Sequence, residues 1–296
     1  MNDAGLSTRA ADTLLTERAA DCLAGGPITS RELVARVCQL PAVPDAVAEH
    51  MAATLLGGFP RFIREADGLW RLAAPPATAP AASGDALSSL SFVVVDVETT
   101  GTSPDSGHRI TEFAAVVVRD GRVAEGFETL VNPQRPIPRY ITQLTNISWE
   151  MVKDAPTFGQ VCDRALEVMA GHVFVAHNAA FDWRFVTAEV RRATGHELDG
   201  RRLCTVRLAR KLLPQLRRRS LDWVANHYGV EIGARHRAMG DALATAHVLL
   251  RLLDDARDRG CATWSDLDAL IGPSAAPRRR RRPPAMPHPV RLDTTA

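Results

Sequence analysis

The 296-residue sequence contains no apolar run near the roughly 20 residues that a membrane-spanning helix requires. Its start, MNDAGLSTRAADTLL, has no basic segment followed by an apolar one, so no secretory leader is expected there. These absences point to a soluble, cytoplasmic protein with no membrane partner. Cysteine is sparse and scattered: Cys22, Cys38, Cys162, Cys204 and Cys261 include no C-x-x-C pair. That spacing excludes a zinc ribbon and a disulfide framework, and leaves reduced, partly buried apolar residues. The chain body also lacks an excess of positive charge. Its net charge is +2, from 36 Lys and Arg against 34 Asp and Glu, but five of the arginines form the single run Arg278–Arg282. Without that run acidic residues outnumber basic ones. Affinity for phosphate must therefore come from local patches, from the tail or from bound metal.

What is present is a chain that is 46% hydrophobic, long enough for one large domain and one small one. Residues 1–72 read as the small unit. Leu6–Leu23 reads as a first helix, with Leu14, Leu15, Ala19 and Cys22 at helical spacing; Ser30 can cap a second helix with Leu33, Val34 and Val37 inward; Asp45 can cap a third with Val47, Met51, Leu55 and Leu56 inward. Two short strands joined by Ala66-Asp67-Gly68 follow. Three helices and a hairpin resemble a winged helix-turn-helix domain. The unit reads either as a DNA-binding module or as a packing module, since its third helix carries Asp45 and Glu49 and no basic residue. Residues 73–90, rich in Ala, Pro and Ser, read as a linker. The tail 272–296, rich in Pro and Arg, is expected to be disordered.

The large unit, residues 91–271, opens on SFVVVDVETTG. Phe92–Val95 has the composition of a buried strand. Asp96 and Glu98 follow two residues apart, so in a strand they point to one face. Two carboxylates at the end of a buried strand are costly without a partner, and a cation is the simplest one. Arg109–Arg119 and Arg122–Val131 read as a hairpin, and helical and strand patterns then alternate. This order predicts an α/β fold, a mixed sheet flanked by helices. Two further segments place acids at element tips: HNAAFD puts Asp182 in the first turn of a helix after a buried strand, and HRAMGD puts Asp241 near the start of a long helix with His236 five residues before it.

DVETTG, HNAAFD and HRAMGDA, in this order, resemble the three motifs of the DEDDh family of ribonuclease H-like 3′–5′ exonucleases, which includes the proofreading epsilon subunit of bacterial DNA polymerase III. The likeness covers about residues 91–259, including ITQLTNIS, LCTVRLAR and RRSLDWVANHYGV. It implies a metal-dependent 3′–5′ exonuclease releasing nucleoside 5′-monophosphates, from DNA in proofreading or repair or from short RNA. It also implies that Asp96, Glu98, Asp182 and Asp241 hold two divalent cations, Mg²⁺ or Mn²⁺, and that His236 is the general base. Thr99 and Leu144 would line the 3′-terminal nucleotide. The implied partners are a nucleic acid 3′ end, single-stranded DNA foremost, and a DNA polymerase or another replication or repair protein. A nucleic-acid-binding regulatory protein on an exonuclease scaffold is the alternative from a different class.

The chemistry agrees with this likeness. Oxygen-only ligands suit Mg²⁺ or Mn²⁺, and paired cations serve both ends of an in-line displacement at phosphorus. Histidine as a residue type, with an ordinary pKa of about 6.5, suits a base near neutral pH. His177, Asn178 and Glu112 read as structural supports, and Trp183, Phe185 and Trp223 as core. Arg217–Arg219 either meets phosphates or is simply solvated, and the same two readings stand for Arg278–Arg282.

Overall fold

Runs of Val, Ile and Phe, buried on both faces and alternating between two cores, build the central sheet, and helices with apolar stripes cover both of its faces. The computed structural model describes residues 5–10, 14–40, 42–59, 61–73 and 86–272. The expected middle of the linker and nearly all of the expected tail lie outside them.

The described chain opens with strand β1 (Ser7–Ala10). The helices α1 (Leu14–Ala24), α2 (Ser30–Cys38) and α3 (Asp45–Leu56) follow, then the antiparallel pair β2 (Phe62–Arg64) and β3 (Trp70–Leu72). Ile28 bridges to Trp70, adding a third short rung to the hairpin. Two local expectations are corrected. Thr29, not Ser30, caps α2, accepting from the Glu32 amide; the Ser30 hydroxyl instead accepts from the buried Trp70 indole at 3.1 Å. Helix α3 buries Ala48, Ala52 and Leu56, with Met51 and Leu55 partly buried against the same core, whereas Val47, read as inward, is 48% exposed. A stripe of small residues lets α3 lie close against its neighbours, where larger side chains would hold it off. The hairpin arginines are neutralised within the unit, Arg64 by Glu49 and Arg71 by Glu65 and Asp67.

The larger domain runs β4 (Phe92–Thr99), β5 (Ile110–Arg119) and β6 (Arg122–Leu130), then α4 (Arg139–Thr145), α5 (Trp149–Val152) and α6 (Phe158–Met169). It continues with β7 (Val173–Ala176), α7 (Ala179–Thr194), β8 (His196–Asp199) and β9 (Arg202–Cys204). Helices α8 (Thr205–Leu212), α9 (Leu221–Tyr228), α10 (Ala238–Asp258) and α11 (Trp264–Ile271) close it. The five-stranded sheet has the order β6-β5-β4-β7-β9, with β4, β5 and β6 antiparallel and β4, β7 and β9 parallel. The expected α/β architecture is therefore present. Asp120 and Gly121 both take left-handed φ, 52° and 69°, which matches the tight turn of a two-residue hairpin. Phe92 and Val94 pack with the α8–α10 layer, and Val93, Val95 and Val97 pack with α6 and α7.

The boundaries between units differ from the sequence reading. Ser7–Ala10, read as part of the first helix, pairs antiparallel with β8, and Leu6 joins the core under α6 and α7. Leu87 and Leu90, read as linker, are buried in the core of the larger domain. Trp223, read as core, is 44% exposed on α9. Among the described residues no helix is long and apolar enough to cross a membrane.

One buried ion pair ties the start of β5 to α7. Arg109 donates to both oxygens of Glu189, which is 3% exposed and also accepts from Arg192. Removing one partner of such a pair strands a buried charge. Arg109→Ala is expected to lower stability by about 3 kcal/mol in chemical denaturation, with little change in the denaturant slope.

Candidate active site

The site lies where β4 and β7 end and α7 and α10 begin. Strand β4 buries every residue up to Val95 and then delivers Asp96 and Glu98, both half-buried, to the α10 side of the sheet. A register shift between Glu98 and Thr99 ends the ladder there. From β7 the chain turns through His177 and Asn178, the latter at φ 81°, and enters α7. That turn sets Asp182 one helical turn in, 4% exposed, with its Oδ1 accepting from the Val97 amide at 3.2 Å. Asp182 is thus anchored to the residue between Asp96 and Glu98. Asp241, also 4% exposed, comes from the first turn of α10.

His177 supports this arrangement rather than joining it. One ring nitrogen meets the Thr205 hydroxyl and the other the Arg219 carbonyl, each at 2.9 Å. A carbonyl only accepts, so Nε2 donates to Arg219 and Nδ1 accepts from Thr205. Burial lowers the His177 pKa to about 4, so it stays neutral and serves as a brace.

The loop before α10 brings in the histidine. His236 sits at φ 58°, a conformation uncommon for non-glycine residues, and its amide donates to Asp241 Oδ2 at 3.2 Å. Gly240 allows the loop to close, because a Cβ there would meet the Ala234 carbonyl oxygen at 2.2 Å. Ligand atoms of Glu98, His236 and Asp241 all lie within 4.8 Å of one another. The His236 ring therefore already stands beside the carboxylates.

Two arginines flanking His236 hold the loop, and sequence reasoning missed both. Arg235 Nη1 donates to Asp241 Oδ2 at 2.6 Å, and its other nitrogens bind Asp222. Arg237 makes a forked contact with Glu112, which is 2% exposed and also accepts from the Ala238 amide at 2.8 Å. Glu112 lies directly across the ladder from Glu98. The one signal for this link was an acid on an otherwise apolar strand.

Four carboxylates in so small a volume repel one another. Burial, with the charges of Asp182, Glu98 and Asp241, pushes the Asp96 carboxyl well above its usual range. Burial with the charges of Asp241 and Glu112 raises Glu98 to about 8. Burial likewise raises Asp182 and Asp241, against the pull of the Val97 amide and of Arg235 respectively. Asp241 Oδ1 is buried and has no hydrogen-bond partner among the described residues. An all-oxygen set with raised proton affinity and an orphaned buried acceptor fits a hard divalent cation. Thr99 follows Glu98 at the end of β4, and Leu144 lies on α4. The Thr99 hydroxyl is buried and donates to the Gly101 carbonyl at 2.6 Å, and Leu144 is 50% exposed on α4. The Arg219 guanidinium donates to the carbonyls of Leu213 and Pro214, bracing its own loop.

Known proteins resemble this chain. The exonuclease family RNase_T matches residues 93–249. The PolC-type DNA polymerase III of Caldanaerobacter subterraneus subsp. tengcongensis is 37% identical over 194 residues, 65% of this chain and 14% of the polymerase. The 3′-5′ exonuclease DinG of Bacillus subtilis is 37% identical over 179 residues, 60% of this chain and 19% of DinG. This chain thus spans less than a fifth of the length of these relatives. Among solved structures, Exonuclease X in complex with 5′ overhanging duplex DNA superposes with a TM-score of 0.50 at 27% identity, over 61% of this chain and 99% of the other.

The raised carboxylates set a pH dependence. In the cation-free folded protein Glu98 holds its proton up to about pH 8, whereas the ordinary value is 4.5. The folded state therefore binds more protons across this window. The stability that Glu98 contributes is full below about pH 4.5 and is lost as the pH rises through about 8. A divalent cation favours the charged form and reverses the trend. The rise in Tm on adding MnCl₂ is expected to be larger at the alkaline end of the window than at the acid end. Equal rises at both ends would contradict this reading.

Proposed function

The chain belongs to the RNase_T exonuclease family, and from that premise we propose that it is a metal-dependent 3′–5′ exonuclease. It removes nucleoside 5′-monophosphates from the 3′ end of DNA, single-stranded in preference, in proofreading or repair beside a polymerase or another replication protein. The carrying observation is the convergence of Glu98, His236 and Asp241 within 4.8 Å, beside Asp96 and Asp182. DNA is favoured over RNA because the relatives include PolC-type DNA polymerase III and because Exonuclease X was solved with DNA.

Asp96, Glu98, Asp182 and Asp241 would hold two divalent cations, Mg²⁺ or Mn²⁺. When bound, these supply acidification of water and neutralisation of charge on the attacking and leaving oxygens. The chain's own residues do the rest. Val97, through its amide, fixes Asp182 against the strand end. Arg235 orients Asp241, and the Glu112–Arg237 fork holds the loop that carries His236. One imidazole nitrogen of His236 takes a proton from water as the water oxygen bonds to phosphorus. The bond from phosphorus to the 3′ oxygen of the preceding nucleotide breaks, and that oxygen leaves and is protonated. Thr99 and Leu144 flank the terminal nucleotide, Leu144 with its exposed side chain.

With Mg²⁺ or Mn²⁺, the purified protein is expected to shorten a 5′-labelled single strand from its 3′ end, and an intact strand would refute the activity. Asp96→Ala should give no cleavage above background. His236→Ala should lower the rate by roughly 10²–10⁴-fold, while the cation-induced rise in Tm persists; turnover equal to wild type would remove His236 from the mechanism.

A further inference from the structure

Beside the carboxylates, on the outer side of the sheet, lies a cationic cleft that the site described above does not use. It has a volume of about 990 Å³ and opens between the first turns of α7 and α8, strand β9 and α11. Its walls carry Arg201, Arg202, Arg207 and Arg210 against a single acid, Asp268. The arginines nearest the carboxylates are instead committed to acids: Arg235 to Asp222 and Asp241, and Arg237 to Glu112. Among the described residues Arg202, Arg207 and Arg210 have no acidic partner.

Two of these cations lie against aromatic rings. The Arg202 guanidinium lies 4.7 Å from the Trp183 ring centroid, and that of Arg201 lies 5.4 Å from Trp264. Stacking on an indole fixes a guanidinium while keeping its charge. Arg207 donates to the Gly272 carbonyl, so the described chain ends on the cleft wall. The next charged segment in sequence, Arg278–Arg282, has the wrong sign to fill it.

The register fixes where the cleft stands. Val94 pairs with Val175, and Ala176 pairs with Cys204, so the end of β9 is one residue short of the level of Asp96. Two strand spacings, about 10 Å, separate β9 from β4. At duplex rise that is about three nucleotides of one strand.

We propose that this arginine cleft is a second nucleic-acid contact, holding backbone phosphates of the substrate strand about three nucleotides from the end being cleaved. The proposal rests on the nuclease reading above and adds a binding element to it. A cleft in which Arg202, Arg207 and Arg210 have no acidic partner and whose walls carry one acid suits a polyanion, and the position beside the carboxylates makes that polyanion the strand under attack.

The test measures binding of fluorescein-labelled oligo-dT, short (about 4 nucleotides) and long (about 16 nucleotides), to the full chain in EDTA across a salt series. Wild type is expected to bind the long strand more tightly. The double variant R202Q/R210Q, at two exposed positions, should lose that gain with length. Its slope of log affinity against log salt should fall by about 1.4, from two contacts at 0.7 each on a single strand. R202K/R210K should keep the slope, and R164Q/R257Q, on α6 and α10, should match wild type. A wild-type length gain and slope in R202Q/R210Q would overturn the proposal, as would an equal loss in R164Q/R257Q. Because binding is read without cation or turnover, an inactive protein that shows the Arg202/Arg210 effect would refute the nuclease reading alone. An active protein without the effect would refute the cleft alone.

Discussion

Burial of four carboxylates at one end of the sheet is the constraint on which the rest of the larger domain depends. Asp96, Glu98, Asp182 and Asp241 come from three elements, and each is held with its proton affinity raised above the ordinary value. Left to themselves such groups would separate or stay protonated. The fold prevents the first by burying the strand and helix ends that carry them. The second would yield if, as proposed, a divalent cation replaced the protons.

The surrounding network shows how that tension is contained. Val97 lends its amide to Asp182, and Arg235 lends a guanidinium to Asp241. Glu112, across the ladder from Glu98, is a fifth acid near the same point. It is committed to Arg237 and to the Ala238 amide at the start of α10. This one side chain therefore ties the sheet to the loop that carries His236. His177 does the equivalent on the other side, joining the β7–α7 turn to Thr205 and Arg219. Around the same sheet end the charge changes sign within two strands, from the acidic centre to the arginine cleft. The proposed function would use both signs, acid to gather cations at the reacting phosphate and arginine to hold the others.

The parts of this that were legible in the sequence are those with short-range signatures. Asp96 and Glu98 could be placed on one face because strand period is 2, and Asp182 and Asp241 because each opens a helix after a loop. The hairpin at Asp120-Gly121 carried its own turn chemistry. What was not legible depends on distance along the chain. Arg237 and Glu112 are 125 residues apart and nothing local pairs them. Ser7–Ala10 has little strand character and forms a strand because β8 offers it an edge. On helix α3 the sequence reading put Val47 inward because valine outweighs alanine in any hydrophobic count, whereas packing there favours Ala48 and Ala52. The arginine cleft was hidden in a chain whose acids and bases nearly balance.

The central claim is that the four carboxylates together form a site for divalent cations at the reacting phosphate. Its most direct test is anomalous diffraction from crystals of the protein grown with Mn²⁺ and a nucleoside 5′-monophosphate. The account predicts two manganese peaks among Asp96, Glu98, Asp182 and Asp241, with the nucleotide phosphate touching both and His236 beside it. Manganese bound elsewhere, with these carboxylates left bare, would contradict it.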